Sequence, residues 1–168
     1  VRGKTVVMLV NDPPITDPND PALLDARMFR GKAMTYYGRW TYKFESAAQR
    51  GAAAALVVHE TGPAGYPWFV VVNSWSRENF VLEGAAGPQV SVAGWLSLDA
   101  TRRLFAAAGL EFESEKTRAA RREFRPVPLT AVAEFAVTNV SRRVVSRNVV
   151  GELKGSDPVR REDWIVYT

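Results

Sequence analysis

Apolar positions along the chain group into a few strand-length runs and two helix-length stripes. Lys4 to Val10 (KTVVMLV) is a continuous apolar run led by β-branched residues. It predicts a buried strand, ended by the turn residues Asn11, Asp12, Pro13 and Pro14. Trp40, Phe44, Ala47, Ala48 and Gly51 then recur at steps of three and four, one face of a helix. Gly51 follows the last turn, where glycine takes the left-handed C-cap conformation without steric penalty. Ala54 to Val58 is a short apolar run ending in β-branched residues, as in a strand covered on both faces. The stretch from Tyr36 to Glu60 therefore reads as loop, helix, glycine stop and buried strand.

The rest of the pattern is less even. Residues 11 to 24 hold prolines at 13, 14, 18 and 21 and predict a long surface loop. Leu23 to Phe29 reads as a short helix or a hydrophobic anchor. Thr61 to Asn73 (TGPAGYPWFVVVN) reads as a Gly/Pro loop with exposed aromatics, passing into an apolar segment. Ser74 to Gly87 is polar, and Pro88 to Val92 (PQVSV) alternates as a strand does. Ser97 to Gly109 predicts the second clear helix: Ser97 as N-cap, Asp99 in the first turn, Gly109 past the end. Its inner stripe is Leu98, Thr101, Leu104, Phe105 and Ala108. Phe112 to Phe124 reads as an exposed connecting helix. After Pro126 and Pro128, Leu129 to Thr138 alternates as a half-buried strand. Arg147 to Leu153 (RNVVGEL) and Trp164 to Tyr167 (WIVY) read as further strands. The change of style at 125 to 128 marks the expected domain boundary.

Composition narrows the class of protein. The 168 residues are 46% hydrophobic and 24% charged, enough for one good core. No apolar run approaches the ~18 residues of a membrane span. The chain opens directly into a strand-like segment without methionine, which suggests a mature protein or an excised piece. With no cysteine, disulfides and thiol chemistry are excluded. The net charge is +4, with arginines at 118, 121, 122 and 125 and at 142, 143 and 147. Acidic residues interleave with them and no nucleic-acid motif accompanies them, so they read as solvated faces and guarded strand edges, with no nucleic-acid partner.

Candidate chemistry is sparse. His59 is the only histidine and is followed by Glu60. A catalytic zinc normally takes three protein ligands, and with one histidine the rest would all be carboxylates. His59 reads better as a histidine closing a strand and bonded to backbone. Asp12, Asp17, Asn19 and Asp20 fit no cation-loop spacing. No GxSxG elbow and no glycine-rich phosphate loop occurs. The loop Tyr36-Tyr37-Gly38-Arg39-Trp40 stands apart, because tyrosine, tryptophan and arginine dominate recognition hot spots. Arg39 suits a carboxylate through two parallel hydrogen bonds. Tyr36, Tyr37, Arg39 and Trp40 are the candidate substrate-binding residues; no catalytic residue is assigned.

The order GKTVVMLV, YYGRWTYKFESAAQRGAAAALVVHE and PQVSVAGWLSLDATRRLF resembles a protease-associated domain. It is similar to the version found in glutamate-carboxypeptidase-like, di-zinc metallopeptidases. RNVVGELKGSDP and DWIVYT resemble the first strands of their catalytic domain. The resemblance implies an α+β chain: residues 1–125 an open β-barrel or sandwich with flanking helices, residues 126–168 the initial strands of an α/β peptidase domain. In that family the strand matching Trp164 to Thr168 runs into a His-x-Asp motif that supplies zinc ligands. Two zinc ions are therefore expected in the full-length parent and none in this stretch. The parent would be an aminopeptidase or carboxypeptidase using a metal-activated water. The loop matching Tyr36 to Trp40 faces the cleft in relatives, where an arginine helps hold peptide substrate, and Arg39 is the nearest match. Expected partners are peptide substrate, the remainder of the peptidase domain, and a second copy through the unpaired tail. Relatives are commonly exported, which implies an extracytoplasmic location. The alternative is a non-catalytic interaction module, as in receptor-type relatives that keep the fold and lose the metals.

Overall fold

A computed structural model describes residues 1–29, 31, 33–84 and 87–167. Its centre is a three-stranded parallel sheet in the order β1 (Thr5–Leu9), β2 (Ala54–Val58), β3 (Val92–Leu96). The register pairs Thr5 with Ala54 and Ala54 with Val92. Both strand pairs are parallel, so each needs a crossover that returns the chain to the start of the sheet. The first is α1 (Trp40–Gln49); the second includes α2 (Thr61–Ala64) and α3 (Trp68–Trp75). After β3 come α4 (Leu98–Ala107) and α5 (Phe112–Ala119). Helices and strands are mixed, as the sequence implies.

β2 is the central strand and the most deeply buried, with Ala55 and Val57 at 0% exposure. Successive side chains of a strand point to opposite faces. Ala55 and Val57 therefore share a face with their register partners Val6 and Met8. Phe44 and Ala47 of α1 pack on this face, with Ala52 and Ala64 completing the core. Gly51 ends α1 as the spacing predicts: its φ is 72°, and its N–H donates to Ala48 O at 2.9 Å. α4 is also capped as its sequence predicts. Ser97 Oγ accepts from the Ala100 N–H at 3.2 Å, and Gly109 has φ 72°.

Three expectations need correction. The strand expected at Pro88 to Val92 begins only at Val92, because pairing with β2 sets its register. Ser91 N–H already donates to Ala53 O, and the residues before it add nothing to the ladder. The aromatic segment after Gly65 is not loop but α3, entered through Pro67, whose fixed φ of −77° suits a helix start. Leu23 to Phe29 forms no helix. Leu24 instead makes an antiparallel bridge with Thr16, and Asp25 is buried as the loop's organiser.

The largest departure is in the tail. Residues 126–167 carry no helix or strand, although Leu129–Thr138, Arg147–Leu153 and Trp164–Tyr167 have strand patterns. Thr168 lies outside the described residues. A strand without a neighbour leaves its N–H and C=O groups to water and its apolar side chains uncovered, so pattern alone does not form one. Residues 131–167 are all exposed. Compactness divides the chain between Phe135 and Ala136. Within the C-terminal unit the Asp157 carboxylate accepts from the N–H groups of Val159 and Arg160.

Asp25 offers a test of the first long loop. Its carboxylate accepts two side-chain bonds from Arg27, at 3.0 and 3.1 Å, and the Arg27 N–H at 2.9 Å. These bonds hold its pKa below the ordinary 3.8. A carboxyl whose folded pKa is depressed adds stability above its unfolded value and loses it as pH falls through the folded one. Asp25→Asn should therefore lower the urea midpoint above about pH 5, with the difference from wild type shrinking below about pH 4. A difference that stays constant down to about pH 2 would remove Asp25 from the loop's stabilising contacts.

Candidate functional site

The loop singled out by sequence is built on the residue pair that follows β1. Asn11 has φ 70°, a left-handed conformation that asparagine tolerates. Its backbone N–H donates to Gly38 O at 2.9 Å, and its side-chain amide donates to Pro63 O at 2.9 Å. Asp12 then reaches back across the loop. Its carboxylate accepts from the Thr35 N–H at 2.7 Å and the Thr35 hydroxyl at 3.0 Å. The Thr35 hydroxyl accepts in turn from the Tyr37 N–H at 3.2 Å and caps the 3-10 turn Tyr36–Gly38.

Gly38 is buried where this turn meets Asp12. A Cβ there would come within 2.8 Å of Asp12 N, 2.9 Å of Met34 Cγ and 3.0 Å of Asp12 Cγ. Glycine is required by close approach of two backbones, not by its own dihedral angles. Lys43, one turn into α1, faces the same region. Burial pushes its ammonium below the ordinary lysine pKa, with the Asp12 charge opposing that shift.

On this fixed backbone the candidate residues separate into two groups. Tyr36 and Tyr37 are 51% and 53% exposed and join Tyr42 in an edge-to-face cluster, with centroids 5.0 to 6.5 Å apart. The Tyr36 hydroxyl bonds to the Glu45 carboxylate, and that bond raises the phenol pKa above 10.0. Arg39 is exposed, and its guanidinium makes no hydrogen bond or ion pair with a described residue. Trp40 turns the other way. Its ring lies 5.5 Å from Trp75, 6.0 Å from Phe44 and 6.3 Å from Trp95. It lines a cavity of about 190 Å³ with Tyr66 and residues of α3. The structure thus brings Tyr36 and Tyr37 together, and assigns Trp40 to a different surface.

His59 and Glu60 sit at the carboxyl end of β2, beside a cleft of about 220 Å³ that also meets Trp68, Ser97 and Asp99. His59 is 3% exposed, and its Nε2 lies 2.9 Å from Tyr66 O. A carbonyl only accepts, so this nitrogen carries the proton and donates. Glu60 is ion-paired with Lys116 of α5. Both side chains are thus committed to contacts of the fold, the backbone-bonded role the sequence favours for His59. Among the described residues, no cluster of three or more histidine, aspartate or glutamate side chains is placed to hold a metal.

Sequence reasoning did not single out Tyr42, Lys43, Trp75 or Trp95. Tyr42 and Lys43 had a local signal, since a helix starting at Trp40 places them on the turn nearest the loop. Trp75 and Trp95 had none, because they meet Trp40 only through the α3 crossover and the β2–β3 register. No family model, no curated protein and no solved structure matches the chain.

Proposed function

We propose that this chain is the non-catalytic substrate-recognition domain of a zinc-dependent exopeptidase, joined to the opening segment of its peptidase domain. One observation carries the reading. The loop Tyr36–Trp40 has its backbone pinned by Asp12, Thr35 and Gly38, yet holds Tyr36, Tyr37 and Arg39 out to solvent. Part-buried bonds and a close glycine contact fix the shape of this exposed loop before any ligand arrives. A preorganised loop loses little entropy on binding, and its residue types are those of recognition surfaces.

On this reading Arg39 pairs with a substrate carboxylate, and Tyr36 and Tyr37 form a wall beside it. The two zinc ions and the catalytic carboxylate belong to the peptidase domain; no residue of this chain is assigned as a ligand. The finer fold, a protease-associated barrel or sandwich over 1–125, goes with the same reading. The strand–loop–helix–strand order over residues 4–58 supports it. The many exposed valines from Val132 to Val166 support a tail that pairs with strands of the peptidase domain, or with a second copy.

The test is Arg39→Ala in the full-length enzyme. Removing a charge-assisted bidentate bond to the substrate should raise KM about tenfold or more. The urea midpoint should stay within experimental error, because the Arg39 side chain supports nothing in the fold. Unchanged kinetics across acidic, neutral and basic peptides would remove Arg39 from the site and favour an interaction module. Zinc-dependent peptide turnover by the 168-residue chain alone would overturn the non-catalytic assignment.

A further inference from the structure

We propose that the cleft at the carboxyl ends of β2 and β3 binds the primary ammonium group of a ligand with a short apolar stem, held between His59 Nδ1 and the Asp99 carboxylate. The cleft shares no residue with the Tyr36–Trp40 loop, and the proposal does not rest on the recognition reading.

A buried histidine supplies the first observation. His59 is 3% exposed and lines this cleft. Its Nε2 donates to Tyr66 O, and in the neutral ring Nδ1 is then an acceptor. Nδ1 itself has no hydrogen-bond partner among the described residues. It is not sealed from solvent either. Among the described residues, Trp95 Nε1 is the one side-chain nitrogen or oxygen that lacks both a partner and contact with solvent. Nδ1 is therefore an unused acceptor that reaches the surface from an otherwise enclosed residue, and the cleft is the surface His59 lines. Buried polar groups are nearly always paired, so this one points to a donor that arrives with a ligand.

Charge supplies the second observation. Glu60 and Asp99 both line the cleft, and no lysine or arginine does. Glu60 is ion-paired with Lys116, and Glu113 beside it with Arg102 at 2.7 Å. Asp99, exposed in the first turn of α4, makes no hydrogen bond or ion pair with a described residue. One carboxylate is left over, so a positively charged donor complements the cleft, whereas an anion would meet two like charges. A primary ammonium combines a compact charge with three N–H donors. The Thr61 hydroxyl is a third acceptor in the same lining. The Trp68 ring and Leu98 give the cleft an apolar side, where a ring face also attracts a cation. The cleft measures about 220 Å³, and about 150 Å³ is enough to hold benzene, so a four-carbon stem fits.

The test uses the 168-residue chain, nitrogen-15 labelled, at about pH 8, where an ordinary imidazole is neutral and an alkylamine charged. His59 is the only histidine, so its two ring nitrogens give a single pair of signals. Butylammonium should move the Nδ1 signal toward the range of a protonated nitrogen and leave Nε2 nearly in place. Tetramethylammonium, which has the charge but no N–H, should not move it. Butanol, with the same stem and no charge, should bind at least about tenfold more weakly. Asp99→Asn keeps the side-chain shape, and should weaken butylammonium about tenfold while leaving butanol unchanged. Alaninamide carries the ammonium of a peptide's amino terminus: tighter binding than butylammonium assigns the site to peptide termini, and weaker binding assigns it to alkylamines. An Nδ1 signal that neither amine moves would overturn the proposal, as would butylammonium binding that Asp99→Asn does not weaken.

Discussion

Gly38→Ala should destabilise the folded chain by about 3 kcal/mol, the upper part of the range for overpacking a closed site. The added methyl would sit 2.8 Å from Asp12 N and 2.9 Å from Met34 Cγ. Met34 can swing aside, since it is exposed and flexible. Asp12 N cannot, because it belongs to the backbone leaving β1 and donates to Asn11 Oδ1 at 2.7 Å. Relief must come from moving the 3-10 turn, which stretches the Asn11 N–H to Gly38 O bond and the two bonds from Thr35 to Asp12. Urea denaturation gives the size of the loss, equivalent to roughly 10 °C in Tm for a unit of this length. Amide exchange at Asn11 gives its location. In the full-length enzyme the same variant should raise KM, because Tyr36, Tyr37 and Arg39 all hang from this turn. A midpoint and an Asn11 exchange rate equal to wild type would mean the turn is free to shift and that its shape is not held for recognition.

Asp12→Ala is expected to cost about 2 to 3 kcal/mol by a different route. It removes the acceptor of two bonds from Thr35 while leaving both donors in place. The Thr35 N–H is part-buried, so a missing partner costs its desolvation as well as the bond. Lys43 also loses the nearby negative charge that offsets its burial. Thr35→Val alone removes only the hydroxyl, keeping the N–H bond to Asp12. The double variant Asp12→Ala with Thr35→Val should therefore be less unstable than the sum of the two, by about 1 kcal/mol, since the hydroxyl bond can be broken only once. Strict additivity would show that Asp12 and Thr35 do not act as one clamp. Proteolysis should report the same event, with cleavage near Tyr36–Tyr37 rising in Asp12→Ala at urea concentrations where the sheet is still folded.

Much of the sheet and its helices was legible because the signals are local. The run KTVVMLV, the stripe from Trp40 to Ala48 and the cap residues Ser97, Gly51 and Gly109 each state their role within a few residues. The α3 segment was less legible, since WFVVVNSW is apolar nearly all round and its periodicity distinguishes no face. The tail was misleading in the opposite sense. Its alternation is that of a strand, but a ladder is a property of two chains of residues, and residues 126–167 pair with none.

For the candidate site, residue types pointed to the loop, and the structure divides it. Tyr36 and Trp40 are four apart in sequence, yet one bonds to Glu45 at the surface and the other packs against Trp75 and Trp95. The division follows from Arg39, whose extended backbone (φ −70°, ψ 143°) breaks the 3-10 turn from α1, so Tyr36 and Trp40 do not share one continuous helix face.

The sequence by itself determined the α+β content, the strands β1 and β2, the capped helices α1 and α4, and a loop rich in recognition residues. Periodicity, caps and glycine stops act over one or two turns and need no distant partner. Only the tertiary structure decided where β3 starts, that α3 is a helix, that Asp12 clamps Thr35, and that three tryptophans from positions 40, 75 and 95 line one cavity. Those features depend on strand register and helix packing between residues far apart in the chain, and pairing across such distances leaves no mark in either local pattern.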